Sequence, residues 1–270
     1  MEIKKVLDEK LSRRSLIKGA ACSAGVAALT MGGLGFLSKA DAAKKGAGEL
    51  PFPYKKLTAA EIKEAGNIAH DNWFKGFCSY ATLSGGLTIL RRKVGGPYNS
   101  FPMELTTFAH GGTSGWGATC GTLIGAGVLS TLCAGPKIGE AINNEVCNFY
   151  ATSALPIFVP DHPKAELKTQ NVSDTPLCHV SVGKWMKKEG VGFLSPQQME
   201  RCARISADMC MKTLEYLNLW ADGKFEPKTK APVFANEIPS QNNCTDCHGD
   251  KIPQTSGKFG RGLDLLKGGH

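Results

Sequence analysis

Near the carboxyl end, Cys244-Thr245-Asp246-Cys247-His248 constrains this chain more than any other stretch of its 270 residues. The spacing CxxCH is the attachment sequence of c-type haem. Two thiols two residues apart reach both vinyl positions on one porphyrin edge, and the adjacent histidine is delivered to the iron as an axial ligand. A segment that carries a porphyrin needs little apolar side chain of its own, because the macrocycle supplies much of the core. Residues 221–270 have that character, with Lys, Gly, Pro and Asn and few large apolar groups. No second CxxC accompanies the motif, as a zinc ribbon would require. One copy implies one covalent haem per chain, mounted by Cys244, Cys247 and His248.

The amino end reads as an address. Ser12-Arg13-Arg14-Ser15-Leu16-Ile17-Lys18 precedes a Gly/Ala-rich apolar stretch from Gly19 to Leu37, and Ala40-Asp41-Ala42 is a small-x-small cleavage site. This is the n-h-c pattern of a twin-arginine export signal over residues 1–42, which places the mature chain in the periplasm. Glycines and hydroxyl residues break the apolar stretch, so no stable membrane span is expected after cleavage. Export of folded proteins lets a metal centre be assembled before transit. The net charge is +8, and the leader carries seven Lys/Arg against four Asp/Glu, leaving +5 on the remainder. That residue of charge is spread out, without a basic stripe interleaved with aromatics, which argues against nucleic acid as a partner.

Between leader and tail the pattern is mainly α. Residues 43–57 form a polar arm with prolines at 51 and 53. A helical domain follows over 58–220, and a loop-rich haem-binding tail over 221–270. Thr58 with Glu61 makes a capping box. Ile62, Ala65, Ile68, Ala69 and Trp73 then continue one apolar face. Gly76 ends or interrupts that helix, and 77–90 is a second helical piece. Arg91–Pro102 reads as a loop, followed by Glu104–Ala109 and a glycine-rich turn at Gly111, Gly112, Gly115 and Gly117. Cys120–Cys133 and Ile138–Tyr150 read as helices, 151–177 as loop. Ser195-Pro196-Gln197-Gln198 opens a last helix through Leu217 or Trp220. The turn lacks both the G-K-[ST] ending and the third glycine of GxGxxG, so it is not a phosphate loop.

Apart from Cys22 in the leader and the two haem thiols, seven cysteines remain: Cys78, Cys120, Cys133, Cys147, Cys178, Cys202 and Cys210. Spacing alone leaves two uses open. In an exported chain they form disulfides, and the odd number leaves at least one free or paired between chains. Alternatively, four thiolates bind an iron–sulfur cluster while three stay buried. Glycines around Cys120 allow backbone amides to approach its sulfur. The distal haem ligand is also open among His110, His179, His70 and His162, with His270 at the terminus. A bis-His haem is a low-potential carrier, whereas an open position means ligand binding or catalysis.

Phe74-Lys75-Gly76-Phe77-Cys78-Ser79-Tyr80-Ala81 is similar to the F-x-x-G-x-(N)-C-A stretch of the C_GCAxxG_C_C redox-active proteins. The run from Gly111 to Ala126 resembles their glycine-rich turn and C-G-x-x-x-G-A helix, and Cys178 and Cys202 fall where their two later cysteines stand. With a twin-arginine leader before this core and a CxxCH after it, the chain resembles the split-Soret cytochromes c over roughly residues 58–250. The resemblance implies a homodimer with stacked c-type haems near the interface and bis-His ligation, one axial histidine coming from the neighbouring chain. It also implies an iron–sulfur centre in each chain, with Cys78, Cys120, Cys178 and Cys202 as its ligands. Two departures stand out: Phe77 replaces the asparagine before the first cysteine, and only one CxxCH is present. Cys133, Cys147 and Cys210 receive no role.

No nucleophile–base–orienter set suggests hydrolysis or group transfer. The function expected is electron transfer in the periplasm, with haem c and an iron–sulfur cluster, toward redox partner proteins. The alternative is a small periplasmic reductase or a redox or gas sensor using either centre.

Overall fold

The structure, a computed structural model, describes residues 49–229. The leader and the CxxCH motif with Cys244, Cys247 and His248 therefore lie outside the described residues, as does His270. Within them the chain is helical, as the sequence pattern predicts, and the only β-type pairing is two isolated bridges, Thr119–Leu177 and Leu155–Asn171. No helix among the described residues is long and apolar enough to cross a membrane.

Helix α1 spans Ala59–Lys93 and begins with the predicted capping box. The Thr58 hydroxyl accepts from the Glu61 amide at 3.2 Å, and the Glu61 carboxylate accepts from the Thr58 amide at 2.7 Å. Its axis breaks at Phe77, whose φ of 61° and ψ of −160° are non-helical, so the interruption expected at Gly76 falls one residue later. The loop expected from Arg91 is shorter than predicted: α1 continues through Lys93, and Pro97–Ser100 forms a short helix, α2. Arg91 explains the difference, because its guanidinium donates to the carbonyls of Tyr98 and Phe101 and folds that segment back on the helix end. A 3-10 turn at Met103–Thr106 leads into the glycine-rich turn.

Helix α3, Gly121–Thr152, is two helices joined at Gly135 (φ 80°) and Pro136. Its halves fold back on each other: the Ser130 hydroxyl donates to the Gly139 carbonyl at 2.9 Å, and Gly127 faces Asn143. The two separate helices expected over 120–150 are thus the arms of a hairpin. Helix α4, Cys178–Glu189, has no counterpart in the sequence reading. It lacks a side-chain N-cap and stops at a left-handed Gly190 after only three turns. Helix α5, Pro196–Ala221, starts as predicted, with the Ser195 hydroxyl accepting from the Gln198 amide.

Helix α5 packs against both α1 and α3, which also touch each other. Leu83, Leu87, Leu90, Leu123, Leu129, Ile205 and Leu214 fill the interior. Each contributes roughly 1.5–3 kcal/mol by leaving water. The start of α3 lies so close to α1 that a Cβ at Gly125 would collide with the Ser79 backbone, and one at Gly121 with the Ala109 carbonyl. That close approach brings the first two cysteines of the pattern side by side. The amino-terminal arm is tied in by the Phe52 amide, which donates to the Leu132 carbonyl, and by the Phe52 ring edge-on to Tyr98 at 5.3 Å.

Candidate metal centre

Three of the four cysteines singled out by the sequence sit where a helix begins. Cys78 is the first residue after the Phe77 break, Cys120 is the N-cap of α3, and Cys178 is the first residue of α4. Helix amino termini carry partial positive charge and unpaired N–H groups, which at all three positions work in favour of the thiolate and against the cost of burial. Backbone pairing sets their register: the Cys120 amide donates to Pro176, the Cys178 amide to Ala118 and the Ser79 amide to Ala109. Cys202 arrives from the second turn of α5. All four are buried and free. They lie within electrostatic reach of one another, and the strongest mutual influence is between Cys120 and Cys178. Cys133 and Cys210 stand outside this group, and Cys147 is within electrostatic reach of Cys120 alone among the four. Burial pushes the Cys133 and Cys210 thiols up to about 12 and Cys147 up to about 11.

The polar groups around the four sulfurs point at them as donors. Trp73 Nε1 approaches Cys78 Sγ at 3.4 Å, the Thr122 hydroxyl approaches Cys120 Sγ at 3.3 Å, and Gln198 Nε2 approaches Cys202 Sγ at 3.2 Å. A neutral thiol is a weak acceptor, so this many donors suits thiolates. The neighbouring Cys178 thiol, outweighing burial and helped by the Thr122 hydroxyl, holds the Cys120 thiol below its ordinary range. Cys178 is pushed up by Cys120 beside it and by burial. Cys78 and Cys202 are pushed up chiefly by burial.

Arg201 supplies a cation. It is 2% exposed. One terminal nitrogen donates to the Ser181 carbonyl and hydroxyl at 3.2 and 2.7 Å. The other lies 4.0 Å from Cys202 Sγ, and the guanidinium sits 5.9 Å from the Trp185 ring centre. None of the ion pairs among the described residues gives it a carboxylate. Its Nε and the Tyr150 hydroxyl are buried without hydrogen-bond partners. The donor set fits a soft iron–sulfur group: four cysteine sulfurs, N–H donors aimed at sulfur and a compensating positive charge. Among the described residues no three side chains close into a site for a single ion. A polynuclear cluster spreads its thiolates farther apart than one ion does.

Beside the cysteines lies a cavity of about 480 Å³, whose wall includes Cys78, Cys178 and Cys202, both His110 and His179, and the apolar Trp73, Phe77, Phe193, Leu194 and Met199. Its rim is greasy and open, with Phe77 46% and Phe193 72% exposed. His110 is half-buried against Phe77, ring centres 5.0 Å apart. His179 is exposed at the start of α4. The other two distal candidates are elsewhere. His162 is exposed in the 151–177 loop. His70 is fully buried with both ring nitrogens at carboxylates, Nδ1 to Asp71 at 3.1 Å and Nε2 to Glu200 at 2.9 Å, leaving neither for a metal. That network extends to Arg204, whose Nε contacts Glu200.

Sequence reasoning missed Arg201, Trp73, Gln198, Thr122 and Tyr150. Gln198 was within reach of it, since a residue four before Cys202 on a helix shares its face. Arg201 was not, because nothing in the sequence marks that arginine as buried.

Split-Soret cytochrome c of Desulfovibrio desulfuricans (strain ATCC 27774 / DSM 6949 / MB) is 35% identical over 191 residues, covering 69% of this chain and 67% of that protein. The solved structure of the split-Soret cytochrome c from Desulfovibrio desulfuricans ATCC 27774, described for its novel iron centre, is similar with a TM-score of 0.62. It is 30% identical and covers 76% of this chain and 86% of that one. No protein-family model matches the sequence. With the helical core and the CxxCH that cytochromes c require, the chain belongs to the split-Soret cytochrome c family.

Proposed function

We propose that this cytochrome is a periplasmic electron carrier, working as a homodimer, with one haem c on Cys244, Cys247 and His248. In this reading an iron–sulfur cluster is bound by Cys78, Cys120, Cys178 and Cys202. Both groups, when bound, exchange single electrons without bond rearrangement. The chain's own residues do the rest. Three helix amino termini and the N–H donors favour the thiolate form that iron binding requires, and burial keeps the four sulfurs from water. His110 and His179, both on the cavity wall, are the distal ligand candidates that the geometry favours over His70 and His162. The iron centre named for the relative's structure suits this donor set.

Arg201 is the observation that carries the reading. A buried guanidinium without a carboxylate is untenable unless something nearby is anionic. Four thiolates on iron supply negative charge, whereas two disulfides would supply none. The cluster reading therefore outweighs the disulfide reading that cysteine spacing left equal to it.

Counting cofactors in anaerobically purified holoprotein tests this reading. One haem per chain, with additional non-haem iron and acid-labile sulfide, is expected; haem iron alone would overturn the cluster. The dimer is tested by dilution. If one axial histidine crosses between subunits, dissociation converts low-spin haem to high-spin, while an unchanged spectrum in a proven monomer keeps the ligand within the chain.

A further inference from the structure

The last described residues are wound onto α3. Glu145, itself buried, accepts from the amides of Lys228 and Thr229 at 2.7 and 2.6 Å and from the Thr229 hydroxyl at 3.0 Å. One residue back on the helix, Asn144 Nδ2 donates to the Thr229 carbonyl at 3.1 Å. The chain thus steps around the helix from the face of residue 145 to that of residue 144, amide first and carbonyl second. The next face in that direction belongs to Asn143. Its Oδ1 is buried without a hydrogen-bond partner. Asn143 also borders a shallow apolar groove of about 360 Å³ that runs along the first arm of α3 past Thr131, Val128, Gly127 and Ile124. An acceptor at the edge of an apolar trough, one helix residue beyond those that hold Thr229, calls for a donor with apolar neighbours.

We propose that this groove is the docking site of the chain's own segment Lys230-Ala231-Pro232-Val233-Phe234-Ala235, with a backbone N–H of that segment on Asn143 Oδ1. The sequence suits the place: two small residues, a proline that favours extended backbone in itself and its predecessor, and Val233 and Phe234 for the trough. Eight residues of helix from Leu123 to Thr131 rise ~12 Å, the span of about four extended residues. Toward Leu123 the groove ends within one turn of Cys120, so a strand laid that way delivers the tail to the sulfur end of the molecule. Docking also shortens the tether to the haem thiols. From Thr229 to Cys244 the chain reaches at most ~50 Å, but from Ala235 only ~30 Å.

A photo-cross-linking residue, p-benzoylphenylalanine, placed at Val128 in the full-length holoprotein tests this, with isotope-labelled and unlabelled copies mixed. Cross-links within one chain to the peptide 230–239 are expected. Cross-links to a second copy, cross-links to another stretch of the chain, or none above an exposed control position would overturn the proposal. Independently, Phe234→Ser should speed amide exchange across residues 123–132 by about tenfold, while unchanged exchange contradicts the docking. Haem content is the control in both experiments. Protein that loads its haem but shows neither signal refutes the docking and leaves the electron-carrier reading intact.

Discussion

Arg201 and Phe77 each hold a position that costs free energy in isolation, and both border the cysteines. For Arg201 the sign of one substitution separates the two fates of the sulfurs. If they form an anionic centre, Arg201→Met strips a buried counter-charge and destabilises the holoprotein by about 3–5 kcal/mol. If they form disulfides, the same change removes an uncompensated cation and stabilises it. Anaerobic denaturant midpoints decide between these outcomes. Phe77 adopts a backbone region that is nearly glycine-only, at a cost of order 1–3 kcal/mol. Its ring returns part of that through Trp73 and His110, at 5.5 and 5.0 Å. Phe77→Gly and Phe77→Ala lose the same ring, but only the glycine sheds the strain. The glycine variant is therefore expected to be the more stable by about 1 kcal/mol or more, and equal stabilities would show that the backbone there is relaxed. At this scale the sequence was legible in its cysteines and opaque in their surroundings. CxxCH and the four spaced thiols are visible as letters. That Arg201 is buried and His70 spent on carboxylates depends on packing that no local pattern encodes.

Helix starts were legible where a side chain closes them, as at Thr58 with Glu61 and at Ser195 with Gln198. Helix α4 escaped notice because its start is held from outside, by Cys178 and His179 amides donating to carbonyls of the glycine-rich turn. The loop 151–177 was legible from its prolines, but not its anchor in α5. Asp208 there accepts from the amides of Ile157 and Phe158 at 2.9 and 2.8 Å. Burial raises its carboxyl from 3.8 to about 7, although those two amides favour the ionised form. The folded chain thus holds this proton more tightly than the unfolded chain does. Its contribution to stability is full below pH 4, declines as pH rises toward 7 and levels off beyond. Asp208→Asn has no proton to lose. The stability difference between wild type and this variant should shift in the variant's favour from pH 4 to 7, read from urea midpoints, even if the amide accepts less well from the two N–H groups. A constant difference across that range would mean that the carboxyl titrates normally.

At the scale of the molecule, a helical core gathers into one place four cysteines spread over more than a hundred residues of sequence. The fold class and most of the elements could be read from periodicity and caps. The convergence could not, because it rests on the close crossing at Gly121 and Gly125 and on the bridge between Thr119 and Leu177, both long-range contacts. Family membership makes the chain a cytochrome c, and the electron-carrier proposal requires both a haem at the CxxCH and the four-cysteine core to be redox centres in one chain. Electron paramagnetic resonance of the anaerobically purified, dithionite-reduced holoprotein tests that requirement most directly. A signal from a reduced iron–sulfur centre is predicted, abolished by Cys120→Ser while the haem absorption bands persist. A fully haem-loaded wild-type protein without that signal, its four core cysteines recovered as disulfides, would contradict it.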